Sequence, residues 1–375
     1  MRPDRGPVRL LKDAGKAYLD KAAVPYRHRF EMVRLGFTGE AFLLYDLANN
    51  DPDDFVPNDM WGPLLRTNGP TAMNLLGNKL LFWHTYSSEL PMPPVLAIAA
   101  NGRLKPVADR GVTSLGRLIE MLEDGPLILK PIDGQKGRRV HSLARTGGEL
   151  LLDGKQATPS DVERALLERD GMLVVGFARQ AEYAAKVFPD STNTVRVVMF
   201  GGEGTGNQPF VSAMAHRFGT RASAPVDNQS SGGVMGRLDP DTHRLGPACT
   251  YPFGAPRLVW HDDHPDTGSP IAGVEVPGLR RVLDRLHEFM AAHAYLTYVG
   301  WDIVVAPGTP DGFTILEANY GAALQTQMFG FPYRRDERVM TFLRHHGLAD
   351  RLRDGGRRAP ARPAATPAAS HTGLS

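Results

Sequence analysis

Three oxygen-bearing side chains near the end of the chain have the types and spacing to hold a divalent cation. In Phe313-Thr-Ile-Leu-Glu-Ala-Asn319, Glu317 and Asn319 stand two apart, so on a strand they share a face. Upstream, Tyr298-Val-Gly-Trp-Asp302 reads as a second strand, on which Asp302 shares a face with Gly300 and Tyr298. Between them, Pro307-Gly-Thr-Pro-Asp-Gly312 is dense in turn formers. A turn centred on that hexapeptide places Asp302 opposite Glu317, with Cβ atoms about 5 Å apart. Carboxylates so placed repel unless positive charge lies between them. With the Asn319 amide they form an all-oxygen set, which suits Mg²⁺. The competing reading is two solvated acids on an outer face, and the apolar residues flanking both argue against it.

A second group suits phosphate. Leu127-Ile-Leu-Lys-Pro131 reads as a strand ending in Lys130, and Asp133-Gly-Gln-Lys-Gly-Arg-Arg139 follows it with Gly134 and Gly137. A lysine at a strand end can neutralise phosphate, and glycines let backbone N–H groups approach closely. No Gly-Lys-Ser/Thr follows, so this is not a P-loop, and an ordinary hairpin turn would look similar. In Ser191-Thr-Asn-Thr-Val-Arg-Val-Val198, alternation turns Arg196 away from Val195 and Val197 and into a cleft with Thr194. Arg196, and Arg217 in Ala215-His-Arg-Phe-Gly219, could each grip a phosphate or carboxylate through two parallel bonds. Taken singly, either could equally be a surface ion pair. The twelve histidines contain no zinc signature, His261-Asp-Asp-His264 lying in a turn-rich loop. There is no Gly-x-Ser-x-Gly elbow.

These residues together resemble the ATP-grasp superfamily. An Asp on one strand followed by Glu-x-Asn on the next looks like its metal signature. Tyr298-Val-Gly-Trp-Asp-Ile303 and Glu317-Ala-Asn319 are similar to the sugar-transfer-associated branch and to alpha-L-glutamate ligase homologues. The resemblance spans roughly residues 35 to 335. It implies an α+β ATP-grasp fold, two α+β subdomains clamping ATP, behind an N-terminal mostly helical region. It makes Lys79, after Asn78, an earlier phosphate-reaching lysine. It places an adenine hinge in Leu173-Val-Val-Gly-Phe-Ala-Arg-Gln180, with Val175, Phe177 and Gln180 at the nucleotide, and adds Asn228 of Asp227-Asn228 to the nucleotide site. This chain departs from the pattern in having Asn319-Tyr-Gly-Ala-Ala323 where many members continue Asn-x-x-Pro-Gly. It also lacks an acidic residue near Gly176. The implied cofactors are ATP and Mg²⁺, with Asp302, Glu317 and Asn319 as metal ligands and Arg196 and Arg217 as catalytic residues. The implied chemistry joins a small-molecule carboxylate to an amine through an acyl phosphate. A kinase acting on a hydroxyl and a non-catalytic nucleotide-binding module are the alternatives.

The elements that must position these groups are readable in outline. Leu10, Leu11, Ala14 and Tyr18 recur at helical spacing, and Glu40 to Leu47 continues that style. Residues Asn49 to Pro70 read as an irregular surface segment, and Asn78 to Ser87 as a short helix. Pro126–Lys130 and Arg139–Leu143 suggest a hairpin, followed by a helix from Pro159 to Glu168. Strands are expected at Met172–Val175, Thr194–Phe200 and Phe210–Ala215. From Val276 to His293 a helix carries Leu279, Val282, Leu283, Leu286, Phe289 and Met290 on one stripe. The expected units are 1–77, mostly helical; 78–180, with the lysine strand and glycine-rich loop; 181–352, with the metal hairpin; and a disordered tail, 353–375.

Composition excludes several classes. The 375 residues carry 43 basic and 41 acidic side chains, a balance that argues against a nucleic-acid binder. Cys249 is the only cysteine, so no intrachain disulfide and no cysteine metal cluster can form. Met1 to Lys21 lacks an apolar core of the signal-peptide kind, and runs such as Val95 to Ala100 are too short to span a bilayer. A cytoplasmic protein is expected, with no nucleic acid and no membrane among its partners. Its oligomeric state is left open.

Overall fold

A computed structural model describes residues 7–107, 112–134, 139–168, 170–252, 255–322 and 324–352. Gly137 and the tail 353–375 lie outside the described residues. The protein is an α+β fold built on two antiparallel sheets, with a helical region before them.

The first sheet uses β1 (Val95–Ala100), β2 (Arg103–Pro106), β3 (Leu127–Pro131), β4 (His141–Thr146), β5 (Glu149–Leu152), β6 (Lys155–Gln156) and β7 (Met172–Gly176), in the order β2-β1-β7-β3-β4-β5-β6. β3 and β4 form the expected hairpin, with Leu127 opposite Leu143. The helix Pro159–Leu167 is fixed at its start by a reciprocal Thr158–Asp161 capping box. It packs Val162, Ala165 and Leu166 into the core of this sheet.

The second sheet uses β8 (Thr194–Phe200), β9 (Phe210–Phe218), β10 (Val234–Leu238), β11 (Leu245–Thr250), β12 (Val259–His261), β13 (Tyr298–Val305) and β14 (Phe313–Asn319), in the order β12-β11-β10-β9-β8-β13-β14. Strand alternation divides its faces. Val195, Val197 and Met199 of β8 join Val299, Trp301 and Ile303 of β13 beneath the helix Leu279–Ala292. All six residues of that helix's expected stripe are buried. On the opposite face, Val198, Phe200 and Tyr298 pack against Val56, Met60, Leu64 and Phe342. Further along the same face, Thr194, Arg196 and Asp302 line a cleft. One side of the sheet thus packs against the long helix, and the other is covered by the N-terminal region and by C-terminal residues such as Phe342, leaving the cleft beside them.

That packing corrects the reading of residues 49–70 as an irregular surface segment. Phe55, Val56, Met60, Leu64 and Leu65 are all buried, the first two between the helical turns Pro52–Asp54 and Asn58–Met60, Met60 at the end of the second, and the leucines in the helix Trp61–Thr67. The turn residues are real, but the apolar residues between them supply the second layer of the sheet. Strands β10 to β12 carry no clear alternation, being interrupted by Gly236, Gly246 and Pro247. Pro247 falls at a register shift between β10 and β11, where a missing N–H is tolerated.

The two sheets meet at the end of β14. Ile315 N donates to Pro91 O at 2.8 Å, and Ala181 N donates to Val305 O at 2.7 Å. These bonds seat the segments entering and leaving the first sheet against the β13–β14 hairpin.

Candidate active site

Adjacent strands place Arg196 directly opposite Asp302. The two form a bidentate ion pair, Nε to Oδ1 at 2.6 Å and Nη2 to Oδ2 at 3.0 Å. On the next strand Arg217, opposite Thr194, reaches the same carboxylate, Nη2 to Oδ1 at 3.0 Å. Arg217 also donates to Thr194 Oγ1 from Nε at 3.0 Å and from Nη2 at 2.6 Å, and its Nε lies 3.4 Å from Asp227 Oδ2. Asp227 Oδ2 in turn accepts from Thr194 N at 2.8 Å and from the Thr194 hydroxyl. Asp302 is 2% exposed, so these charges interact with little water between them. Burial alone would lower the Arg217 pKa, but the carboxylates of Asp227 and Asp302 raise it well above the usual value. For Asp227 burial wins, leaving its pKa above the ordinary carboxylate value despite Arg217.

A bulge turns Glu317 and Asn319 toward the same point. Ile303 pairs with Ile315, but Asp302 pairs with Glu317, so Leu316 is an extra residue in β14. Strict alternation would put Phe313, Ile315 and Glu317 on one face. The extra residue breaks that parity. Phe313 and Ile315 remain in the core, whereas Glu317 and Asn319 line the cleft. Asn319 Nδ2 lies 3.2 Å from Asp302 Oδ2 and 3.4 Å from Glu317 Oε1, so the three side chains converge.

Both sequence-derived lysines arrive at this point from the first sheet's side. Asn78 caps the helix Lys79–Tyr86, its Oδ1 accepting from Leu80 N at 3.1 Å and Leu81 N at 3.0 Å. Lys79 Nζ then sits 3.4 Å from Glu317 Oε2 and donates to Gly134 O at 3.0 Å. Gly134 has φ +140°, a conformation that favours glycine. Lys130 Nζ donates to Leu316 O at 3.3 Å. Burial pulls its pKa down to about 8, against the opposing pull of Glu317. Burial would raise the Glu317 carboxyl, but Lys79 and Lys130 outweigh it and hold the group below the usual carboxylate range.

The expected carboxylate pairing is therefore present, but its charge balance is not the expected one. Asp302 and Glu317 do not stand as an uncompensated repulsive pair. Two arginines neutralise the first and two lysines the second, before any cation is added. The site still fits a hard cation. Among the described residues Glu317 makes no bidentate pair, and a half-turn of the Asn319 amide both releases the Asp302 Oδ2 lone pair that Nδ2 occupies and presents Oδ1 to the carboxylates. Among the described residues no group of three or more His, Cys, Asp or Glu side chains could hold a metal, and a cation here would rest on two carboxylates and an amide oxygen.

The cleft around these groups encloses about 690 Å³. Lys79, Lys130, Gly134, Val175, Arg196, Arg217 and Asn228 line it, with Asp302, Glu317 and Asn319. Two hinge residues do not. Phe177 points to solvent, and Gln180 is spent within its own loop, donating to Ser191 O at 2.8 Å and accepting from Asn193 N at 2.9 Å. Gly176 and Ala178 line the cleft instead. Sequence alone assigned no role to Asp227, whose hydrogen-bond partner Thr194 lies 33 residues away, or to Trp61 and Asn58 of the N-terminal region, which also line the cleft. Asp227 had one local signal: Gly233 follows it closely, and a Cβ there would lie 2.6 Å from the Asp227 carbonyl oxygen.

Residues 64–332 match the model of the sugar-transfer associated ATP-grasp family. The chain belongs to that family. No curated protein matches it in sequence. Among solved structures, this ATP-grasp protein is similar to D-cycloserine synthetase, at 13% identity and a TM-score of 0.39, over 76% of this chain and 74% of that one. It is similar to the L-amino acid ligase from Bacillus licheniformis at 9% identity and a TM-score of 0.38, over 73% of this chain and 48% of that one. A RiPP-associated ATP-grasp ligase from Chryseobacterium gregarium, solved with ADP and a leader and core peptide, gives 11% identity and a TM-score of 0.37, over 79% of this chain and 66% of that one.

Proposed function

We propose that this ATP-grasp protein is a Mg–ATP-dependent ligase that activates a small-molecule carboxylate and joins it to an amine. The observation that carries this reading is the convergence of Lys79, Lys130, Arg196 and Arg217 on the oxygen set Asp302, Glu317 and Asn319 within one cleft. Phosphoryl transfer asks a protein mainly to position groups and neutralise charge. Four cations gathered where a polyphosphate would lie do that, and no side-chain nucleophile is required.

In this reading Lys79 and Lys130 pair with the phosphates, and backbone groups near Val175 and Gly176 hold the base. Asp302, Glu317 and Asn319 hold Mg²⁺, which draws charge from the phosphate oxygens when bound. Arg196 and Arg217, fixed by Asp302, Thr194 and Asp227, turn their remaining N–H groups to the transferring phosphoryl or the substrate carboxylate. A carboxylate oxygen attacks the γ-phosphorus, the bond to the bridging oxygen breaks, and ADP leaves. The amine nitrogen then attacks the acyl carbon. The C–O bond breaks, phosphate departs with that oxygen, and the nitrogen loses a proton. The reading also assigns residues 78–180 and 181–352 as the two clamping subdomains.

The test is a screen of pooled ¹⁸O-labelled carboxylates and amines with Mg–ATP. Ligation through an acyl phosphate releases phosphate carrying label. Phosphate retained on a product would make the protein a kinase, and release of unlabelled phosphate would exclude carboxylate attack.

A further inference from the structure

The helix Pro7–Leu19 is unlike the rest of the surface. Leu11, Tyr18 and Leu19 are 74%, 77% and 76% exposed, whereas no other large apolar side chain among the described residues exceeds 48%. Positions 11, 15, 18 and 19 fall on one helical face, so the three side chains form a single outward stripe with Gly15 between them. Ala17, on the opposite side, is fully buried. The stripe is not the face by which the helix is attached.

Charge is sorted just as sharply. Between Leu11 and Leu35, all the exposed charged residues are cationic: Lys12, Lys16, Lys21, Arg27 and Arg34. The acids are turned inward. Asp13 is buried, and Asp20 accepts from Ala22 N at 2.8 Å and from Gly39 N at 2.7 Å. Glu31 is half-buried. On the helix, Lys12 and Lys16 run as a row along one edge of the apolar stripe.

We propose that this helix is a membrane-surface foot, laying Leu11, Tyr18 and Leu19 into the outer layer of an anionic bilayer while Lys12 and Lys16 meet lipid headgroups. An apolar stripe bordered by lysines, on a helix of low overall hydropathy, is the pattern of an interfacial helix. Three side chains make a patch of a few hundred Å², well below the roughly 800 Å² a side of a specific protein contact. A lipid surface needs no matching contour, and the exposed cations add to the attraction. No helix among the described residues is long and apolar enough to cross a membrane, so the contact is peripheral. It would bring the cleft to a substrate carried at a membrane, whichever reaction the cleft performs.

The test is co-sedimentation of the full chain with phosphatidylcholine vesicles, with and without phosphatidylglycerol. The variants are Leu11→Asp/Leu19→Asp and Lys12→Glu/Lys16→Glu. All four positions are exposed, and unchanged melting temperatures would show that each variant folds. The wild type should bind the phosphatidylglycerol vesicles, with each double variant at least about tenfold weaker and high salt weakening the wild type similarly. No binding to either vesicle, or undiminished binding by the leucine variant, overturns the proposal. So does a wild type that ignores vesicles but self-associates in sedimentation and becomes monomeric in the leucine variant. That result would make the stripe an interface between copies.

Discussion

The carbonyl of Leu316, the extra residue of the β14 bulge, accepts a hydrogen bond from Lys130 Nζ at 3.3 Å. A bulge takes a residue out of the ladder, and here a lysine from the other sheet occupies the carbonyl it leaves. The same irregularity that turns Glu317 into the cleft thus joins the β13–β14 hairpin to the lysine strand.

Lys130 makes the site pH-sensitive. Its ordinary pKa is 10.5 and in the fold it is about 8, so between those values the folded protein binds the proton less tightly than the unfolded chain. Its contribution to stability therefore rises with pH across that window. Phosphate binding works in the opposite direction, favouring the charged lysine. Titration calorimetry of ATP near pH 8, in buffers of different ionisation enthalpy, should show proton uptake. Lys130→Met should abolish that uptake and weaken binding.

Asp302→Asn should destabilise the protein by about 3 kcal/mol, because Arg196 and Arg217 lose the charge that compensates their burial. The sequence alone suggests the opposite sign, since removing one of two facing acids relieves repulsion. Denaturant unfolding in metal-free buffer decides between them.

Asp227→Ala should lower stability by about 2 kcal/mol, because Thr194 N is left buried and unpaired. It should also reduce turnover by freeing Arg217. Asp227→Asn retains an acceptor for Thr194 but withdraws charge from Arg217. It should therefore recover most of the stability and little of the turnover, measured on both variants.

The β13–β14 hairpin was legible because its two strands are local and their turn is dense in Pro and Gly. The Asp302–Glu317 pairing was legible too, though the route to it was not. Near the turn Val305 pairs with Phe313, one residue off a symmetric loop, and the bulge at Leu316 restores the expected partner. Alternation cannot announce such a bulge; only the mixture of Ile315 and Glu317 at the same parity hints at it. The arginine clamp on Asp302 was hidden because it depends on pairing β8 with β13 across 106 residues. The buried role of Val56 and Met60 was hidden among turn formers, which mark where the chain bends and not whether it is covered.

The central claim is that Glu317 and its neighbours hold the metal for Mg–ATP. The direct measurement is Mg²⁺-dependent phosphate release by Glu317→Gln beside the wild type, with melting temperatures as the control for folding. The substitution keeps size and one acceptor oxygen but removes the charge facing Lys79 and Lys130. The account predicts that the Mg²⁺-dependent part of turnover disappears while the protein remains folded, slightly less stable than the wild type. A folded Glu317→Gln protein with near-normal Mg²⁺-dependent turnover would contradict it.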